Sequence, residues 1–191
     1  GIGPEILAKQ NWNQITSKAI PIIFGNREIL NEAFLAYGDQ NLIKLDDFNN
    51  NSLKNDTVFV YESDNFNLNN LKKGMPSKLS GESSLNAIST ATDTCINKNV
   101  HAMVTAPVSK EAIEMTGIDF HGHTEWISNR CGDYDEMMMM SSDDLNVGYV
   151  TTHIPLNQLH EKITCELVLR RIESTHRFLL DSKQNPKIAV C

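Results

Sequence analysis

Short apolar runs rich in β-branched residues alternate along this chain with longer segments whose apolar residues recur every three or four positions. The first pattern is typical of buried strands and the second of amphipathic helices. Strands are predicted at residues 19–25, 41–47, 57–63, 100–106, 135–142, 145–153 and 187–191. Strands that alternate with helices indicate an α/β fold, here with a mixed, mostly parallel sheet and flanking helices.

Two of the predicted helices begin at recognisable signals. Pro4 followed by Glu5 suits a first helical turn, because proline lacks only an N–H that would have no partner there. Asn26 is placed to cap the second helix, since its side chain can accept from the free N–H groups. Further helices are predicted at residues 80–99, 107–117, 124–130 and 164–181.

The composition favours a folded protein and limits its partners. Apolar residues make up 40% of the 191 residues and charged residues 21%, so one domain, or one with part of another, is expected. The net charge of −7 excludes a general attraction to nucleic acid or to an anionic membrane. A phosphorylated substrate would therefore depend on local cations. No apolar run reaches membrane-spanning length, and we expect a cytoplasmic location.

Two sets of sulfur-containing residues are interpreted as structural. The four methionines at 137–140 are expected to fill the core from a buried strand rather than to bind copper. The cysteines lack the close pairs of zinc ribbons and are expected to be buried free thiols; they are Cys95, Cys131, Cys165 and Cys191. The sequence starts without methionine and stops inside a predicted strand, so we expect it to be part of a longer chain.

Polar side chains collect at three predicted junctions between elements, where α/β folds place their functional groups. At the first, Thr105, Ser109 and Lys110 surround a predicted helix start. Free N–H groups at such a start can bind an anion. Simple capping by Ser109, with Lys110 solvated, is the favoured alternative.

The second junction is the segment HGHTE, residues 121–125. Gly122 permits a turn, and Thr124 can then start a helix. His123, just ahead of that start, is a candidate for a hydrogen bond to a substrate. For His121 a role as a turn residue is favoured.

At the third junction the predicted strand 145–153 ends in His153, and Pro155 prevents the strand from continuing. A neutral imidazole at a strand end can present a metal ligand. A purely structural role for His153 stays equally open, because no acidic residue lies near it in sequence. The glycine fingerprint of Rossmann dinucleotide sites, the P-loop and the G-x-S-x-G motif do not occur.

Several stretches closely resemble the 4-hydroxythreonine-4-phosphate dehydrogenase family of vitamin B6 biosynthesis. They are GIGPEI (1–6), FGNREIL (24–30), VTAPVSKEAI (104–113), GHTEWIS (122–128), VTTHIPL (150–156) and PKIAVC (186–191). The resemblance implies a fold like that of isocitrate and isopropylmalate dehydrogenases and a homodimer with a shared active site. It also implies that residues 1–191 are the N-terminal portion of a two-lobed catalytic chain.

The resemblance further implies the chemistry and the residues. His123 and Thr124 match the substrate-binding pair of the family, and His153 matches the first of three histidines that bind a divalent metal such as Zn, Mg or Co. With NAD or NADP the family oxidises 4-phosphooxy-L-threonine, and the keto acid loses CO₂ to give 3-amino-2-oxopropyl phosphate. We expect an exposed His153 that faces a cleft near His123.

Two alternatives to this function are retained. A related dehydrogenase would oxidise threonate or erythronate 4-phosphate, or a cyclic diol carboxylate. A non-catalytic α/β module would instead use residues 108–110 and 121–124 to bind phosphate.

Overall fold

The computed structural model describes residues 1–48, 53–63, 66, 71–132, 136–180 and 186–191. They fall into two compact units, Gly1–Asp133 and Tyr134–Cys191, which are called the first and the second unit. The first unit contains a three-stranded parallel sheet, and the second contains an antiparallel pair of strands. The predicted mixed α/β class is confirmed.

The sheet of the first unit carries its first apolar cluster. Its strands are β1 (Ile22–Phe24), β2 (Leu42–Lys44) and β3 (Val58–Tyr61), with β3 in the middle. The helices around it are α1 (Gly3–Ala8), α2 (Trp12–Thr16) and α3 (Arg27–Tyr37). Buried side chains from strands and helices join in one cluster: Ala8, Trp12, Ile23, Leu30, Ala33, Phe34, Val58 and Val60.

Both predicted helix starts of this region are confirmed. Proline stands in the first turn of α1, together with Glu5. At α3 the Asn26 side chain accepts from the backbone N–H groups of Glu28 and Ile29, at 3.1 and 3.3 Å. These bonds satisfy donors that would otherwise be free at the helix end.

A second apolar cluster of the first unit lies among three helices. These are α4 (Lys78–Ile96), α5 (Lys110–Glu114) and α6 (His123–Cys131). Leu85, Ile88, Ile113 and Phe120 form the buried part of the cluster. A Cβ added to Gly81 of α4 would lie only 2.0 Å from the carbonyl oxygen of Ala112, so α4 and α5 approach at a distance that only glycine permits.

The strand predicted at residues 100–106 is wrong. Residues 102–109 lie in neither helix nor strand, and Val104 is 98% exposed. An apolar run becomes a strand only where another strand supplies its hydrogen bonds, and local sequence does not report that partner.

In the second unit, β4 (Met139–Ser141) pairs with β5 (Asn146–Gly148), and a 3-10 turn at Leu156–Gln158 precedes α7 (Leu159–Lys162) and α8 (Cys165–Leu180). The long predicted helix is therefore confirmed as α8. Of the strand predicted at residues 135–142, only Met139–Ser141 is confirmed, and residue 135 lies outside the described residues. The predicted burial of the methionines is wrong, because Met138 and Met140 are 47% and 57% exposed. Their side chains alternate between two faces, as in any half-exposed strand.

Two further predictions, one on the C-terminal residues and one on the cysteines of both units, are corrected. Residues 187–191, predicted as a strand, lie in neither helix nor strand. The four cysteines are free as predicted, but Cys95 and Cys131 are only half-buried and Cys165 and Cys191 are exposed. In the described part of the chain, no helix has the length and apolar character needed to cross a membrane.

Candidate functional site

The start of α6 places His123 at a junction of the first unit. His123 is the first residue of α6 rather than the residue ahead of it, and Gly122 precedes it in an extended conformation. The ring of buried Phe120 lies edge-on to the imidazole, with centroids 5.9 Å apart. The helix therefore carries the imidazole at its N-terminus, where the backbone N–H groups favour negative charge.

The His123 side chain has a buried, unsatisfied nitrogen. Its Nε2 is shielded from solvent and has no hydrogen-bond partner among the described residues. Burial lowers the pKa of His123, and the positive charge of Lys110 lowers that pKa further. The imidazole is therefore neutral at neutral pH, and an unpaired polar atom of this kind is a ready partner for a ligand.

Lys110 is tied to the same segment. Its Nζ donates to the carbonyl oxygen of His121 at 2.7 Å. Lys110 is exposed, as the predicted solvated lysine requires, and it also makes this hydrogen bond, which was not predicted. Capping by Ser109 is confirmed, because its Oγ accepts from the backbone N–H of Ala112 at 3.2 Å. Anion binding at this junction stays a prediction.

The other polar candidates of these two junctions are exposed. Thr124 is the second residue of α6, and Thr105 lies in the irregular segment before α5. His121 is exposed in the connection to α6, with its Nε2 3.4 Å from an Asp119 carboxylate oxygen. The role of His121 as a turn residue stays a prediction.

Two contacts that the sequence did not predict hold α6 against α4. Trp126 Nε1 donates to Ser89 Oγ at 3.1 Å. One turn later, Arg130 Nε and Nη2 donate to the two carboxylate oxygens of Asp93, each at 2.6 Å. The hydrogen bonds from Arg130 hold the pKa of the Asp93 carboxyl below its usual value. Each pair is 37 residues apart in sequence, beyond the reach of local patterns.

His153 belongs to the second unit. It is exposed and has a φ of 54°, a left-handed conformation that few residues other than glycine adopt. The predicted strand end is wrong, since β5 ends at Gly148, five residues before His153. His153 is exposed rather than buried in the core, as expected, while its position in a cleft near His123 stays a prediction.

A divalent metal requires more donors than His153 provides. Within the described ranges, no group of three or more His, Cys, Asp or Glu side chains is placed to hold a metal ion. Protein metal sites use several ligands with fixed geometry. His153 is therefore one candidate donor, and the described residues do not complete a site around it.

Comparison with known proteins gives the family. Residues 17–191 match the sequence profile of the family described as pyridoxal phosphate biosynthetic protein PdxA. The chain belongs to the PdxA family. The match covers the segments of His123, Thr124 and His153 in a single continuous range.

Relatives of this PdxA-family chain carry two kinds of name. The whole chain is 31% identical to a 4-hydroxythreonine-4-phosphate dehydrogenase of Trichlorobacter lovleyi, over 58% of that protein. It is 30% identical, again over 58%, to a protein of Oceanobacillus iheyensis whose name assigns it provisionally to D-threonate 4-phosphate dehydrogenases. The chain thus spans little more than half the length of these relatives.

A solved structure agrees with this fold. The crystal structure of a 4-hydroxythreonine-4-phosphate dehydrogenase from Burkholderia phymatum is similar with a TM-score of 0.83 and 26% identity. The likeness covers 94% of the PdxA-family chain and 55% of the crystallised one.

Proposed function

We propose that the protein is an NAD(P)-dependent dehydrogenase that acts on 4-phosphooxy-L-threonine, a small phosphorylated substrate. In the reaction the secondary alcohol loses a hydride to the nicotinamide and a proton to a base, which gives a ketone. The carbon–carbon bond to the carboxylate then breaks and CO₂ leaves. The electron pair of that bond remains as an enolate, which takes up a proton at carbon to give 3-amino-2-oxopropyl phosphate. The observation that carries this proposal is the neutral His123 with its buried, unpaired Nε2, in a family named for pyridoxal phosphate biosynthesis.

The proposed role of His123 in the reaction follows from its protonation state. A neutral imidazole can donate or accept one hydrogen bond at Nε2, so it can bind a substrate oxygen or take a proton from one. Thr124 adds an exposed hydroxyl at the same helix start. The N-terminal N–H groups of α6 add partial positive charge toward a phosphate or carboxylate. These groups bind and orient an anionic substrate.

We also propose a divalent metal, Zn, Mg or Co, with His153 as one of its ligands. When bound, such an ion would polarise the alcohol oxygen of the substrate. The described residues supply no group of three or more donors that would complete its coordination. This part of the proposal is supported by the match of His153 to the family motif.

The remaining features of the proposal concern the whole protein. By its motifs the chain would be the N-terminal portion of a two-lobed catalytic chain with a fold like isocitrate and isopropylmalate dehydrogenases. We propose a homodimer with a shared active site, located in the cytoplasm. Gel filtration with light scattering of the purified protein tests the dimer, and a monomer that turns over substrate would contradict the shared site.

Substrate assays separate the proposed activity from its alternatives. NADH or NADPH formation is measured with 4-phosphooxy-L-threonine, with threonate and erythronate 4-phosphates, and with a cyclic diol carboxylate. The relative from Oceanobacillus iheyensis favours D-threonate 4-phosphate as the second candidate. Turnover of none of them, together with phosphate binding, would indicate the non-catalytic module.

Metal analysis of two histidine variants tests the assignment of roles. His153→Ala should lose metal and nearly all activity, with partial recovery in excess divalent ion. His123→Ala should keep its metal and lose roughly ten- to a hundredfold in kcat/KM, because a hydrogen bond to a charged group is worth about 1.5–3 kcal/mol.

Two exposed histidines supply matched controls. His121→Ala is the control for His123→Ala in the first unit, and His160→Ala is the control for His153→Ala in the second. Both should retain metal and activity. Metal lost from the His123 variant and retained by the His153 variant would reverse the assigned roles.

A further inference from the structure

We propose that Lys110 is a positioning residue for His123, which anchors the segment before α6 and places a permanent positive charge beside the imidazole. The kinetic consequence of this inference rests on the proposed function. The structural and electrostatic parts do not, because they concern groups of the first unit alone.

The anchoring begins with the rigid base from which Lys110 extends. Lys110 is the first residue of α5, and this helix buries Ala112 and Ile113, which are 2% and 0% exposed. The close approach of Gly81 to the Ala112 backbone fixes α5 further against α4. The ammonium group therefore extends from a part of the backbone that has little freedom to move.

The ammonium group then ties down the approach to His123. It donates to the His121 carbonyl oxygen at 2.7 Å, two residues before the imidazole. Between them lies Gly122, which has no side chain to restrict its backbone. A charge-assisted hydrogen bond at this point limits the conformations of the one flexible link before α6.

The charge of Lys110 has a second effect, on the protonation of the ring. Charged or titratable groups on the elements next to His123 include Lys110 of α5, together with Asp119, His121 and Glu125 of its own segment. Asp93 of α4 and Arg130 of α6 are paired with each other. Apart from burial, Lys110 is the group that lowers the pKa of His123. A positive neighbour opposes protonation, so its removal should raise that pKa. Lys110 thus adds to the larger effect of burial in favouring the neutral imidazole, the form that accepts a hydrogen bond or a proton.

An NMR titration of the histidine rings tests the electrostatic part. In Lys110→Met the midpoint of His123 should move to higher pH, whereas Lys110→Arg, which keeps the charge, should leave it low. Lys18→Met, an exposed lysine of the same unit, is the matched control and should change nothing. The exposed His101 and His160 are internal references in each spectrum.

Amide hydrogen exchange and steady-state kinetics complete the experiment. Exchange at residues 119–123 should become faster in Lys110→Met. The value of kcat/KM should fall roughly tenfold, with the acid limb of its pH profile moved to higher pH, and Lys110→Arg should restore most of the activity.

Two results would overturn the inference. An unchanged His123 midpoint in Lys110→Met removes the electrostatic role. A rise in KM alone, with the acid limb and the exchange rates unchanged, assigns Lys110 to direct contact with the substrate instead. If the unaltered protein oxidises none of the candidate substrates, the proposed function fails, while the titration and the exchange still decide the role of Lys110.

Discussion

The two units hold their histidines in opposite ways. His123 stands on a helix that is packed into an apolar cluster and joined to α4 by Trp126 and Arg130. His153 stands exposed in the second unit, where Leu179 is the one buried apolar residue among those described. A side chain that is already fixed loses little conformational entropy when it binds a ligand. An exposed side chain must first be ordered, and this costs binding free energy. The comparison indicates that the substrate-binding part of the proposed site is the preorganised part.

The largest expected effect is the loss of stability when a packed side chain is truncated, which should differ between the two units. Ile113→Ala removes a fully buried side chain of the cluster below α6 and should lower the free energy of unfolding by about 2–5 kcal/mol. Leu169→Ala in the second unit, 55% exposed, should change it by about 0.5 kcal/mol or less. Urea unfolding followed by circular dichroism measures both. Equal losses would remove the contrast between the units.

A smaller effect concerns the hydrogen bond that joins α6 to α4. A double-mutant cycle of Trp126→Phe and Ser89→Ala should give a coupling energy of about 0.5–1.5 kcal/mol. The pair of Trp126→Phe with Ser17→Ala, at the residue that follows α2, is the control and should show additive effects. Additive effects in the first pair as well would show that this bond does not hold α6 in solution.

The smallest effect is the pH dependence from Asp93 and Arg130. Because the folded-state pKa of Asp93 is depressed, its stabilisation is present above the ordinary value of 3.8 and is lost as the pH falls through the lower folded value. Both side chains are more than a third exposed, so the contribution should be about 0.2–1 kcal/mol. Arg130→Gln should reduce the decrease in the free energy of unfolding at low pH. The exposed control Arg177→Gln should leave this decrease unchanged. The test is to measure the free energy of unfolding of each variant at several pH values between about 2 and 7.

Local patterns predicted the features of this molecule that depend on neighbouring residues. The Asn26 cap, the proline in α1 and the amphipathic α8 each follow from residues within one or two turns. The same holds for the GHTE segment, whose helix start was predicted to within one residue. Such features need no knowledge of the rest of the fold.

The features that were predicted wrongly or missed depend on contacts between residues far apart in sequence. Residues 100–106 have the composition of a strand, but pairing depends on a partner that composition does not reveal. The bond from Lys110 to His121 and the two contacts between α4 and α6 likewise join segments that meet only after folding. For His153, a left-handed backbone is a property of the loop around it and left no signal in the sequence.

The glycine at position 81 has a consequence for how variants of this protein are interpreted. Any side chain there meets the Ala112 backbone and displaces α5, and with it the lysine proposed to orient His123. In a mutational scan scored only by turnover, position 81 should therefore rank beside the residues that touch the substrate. A parallel measurement of protein abundance would distinguish the two groups, because a displaced helix lowers the folded population more than the loss of a side chain whose role is to contact the substrate.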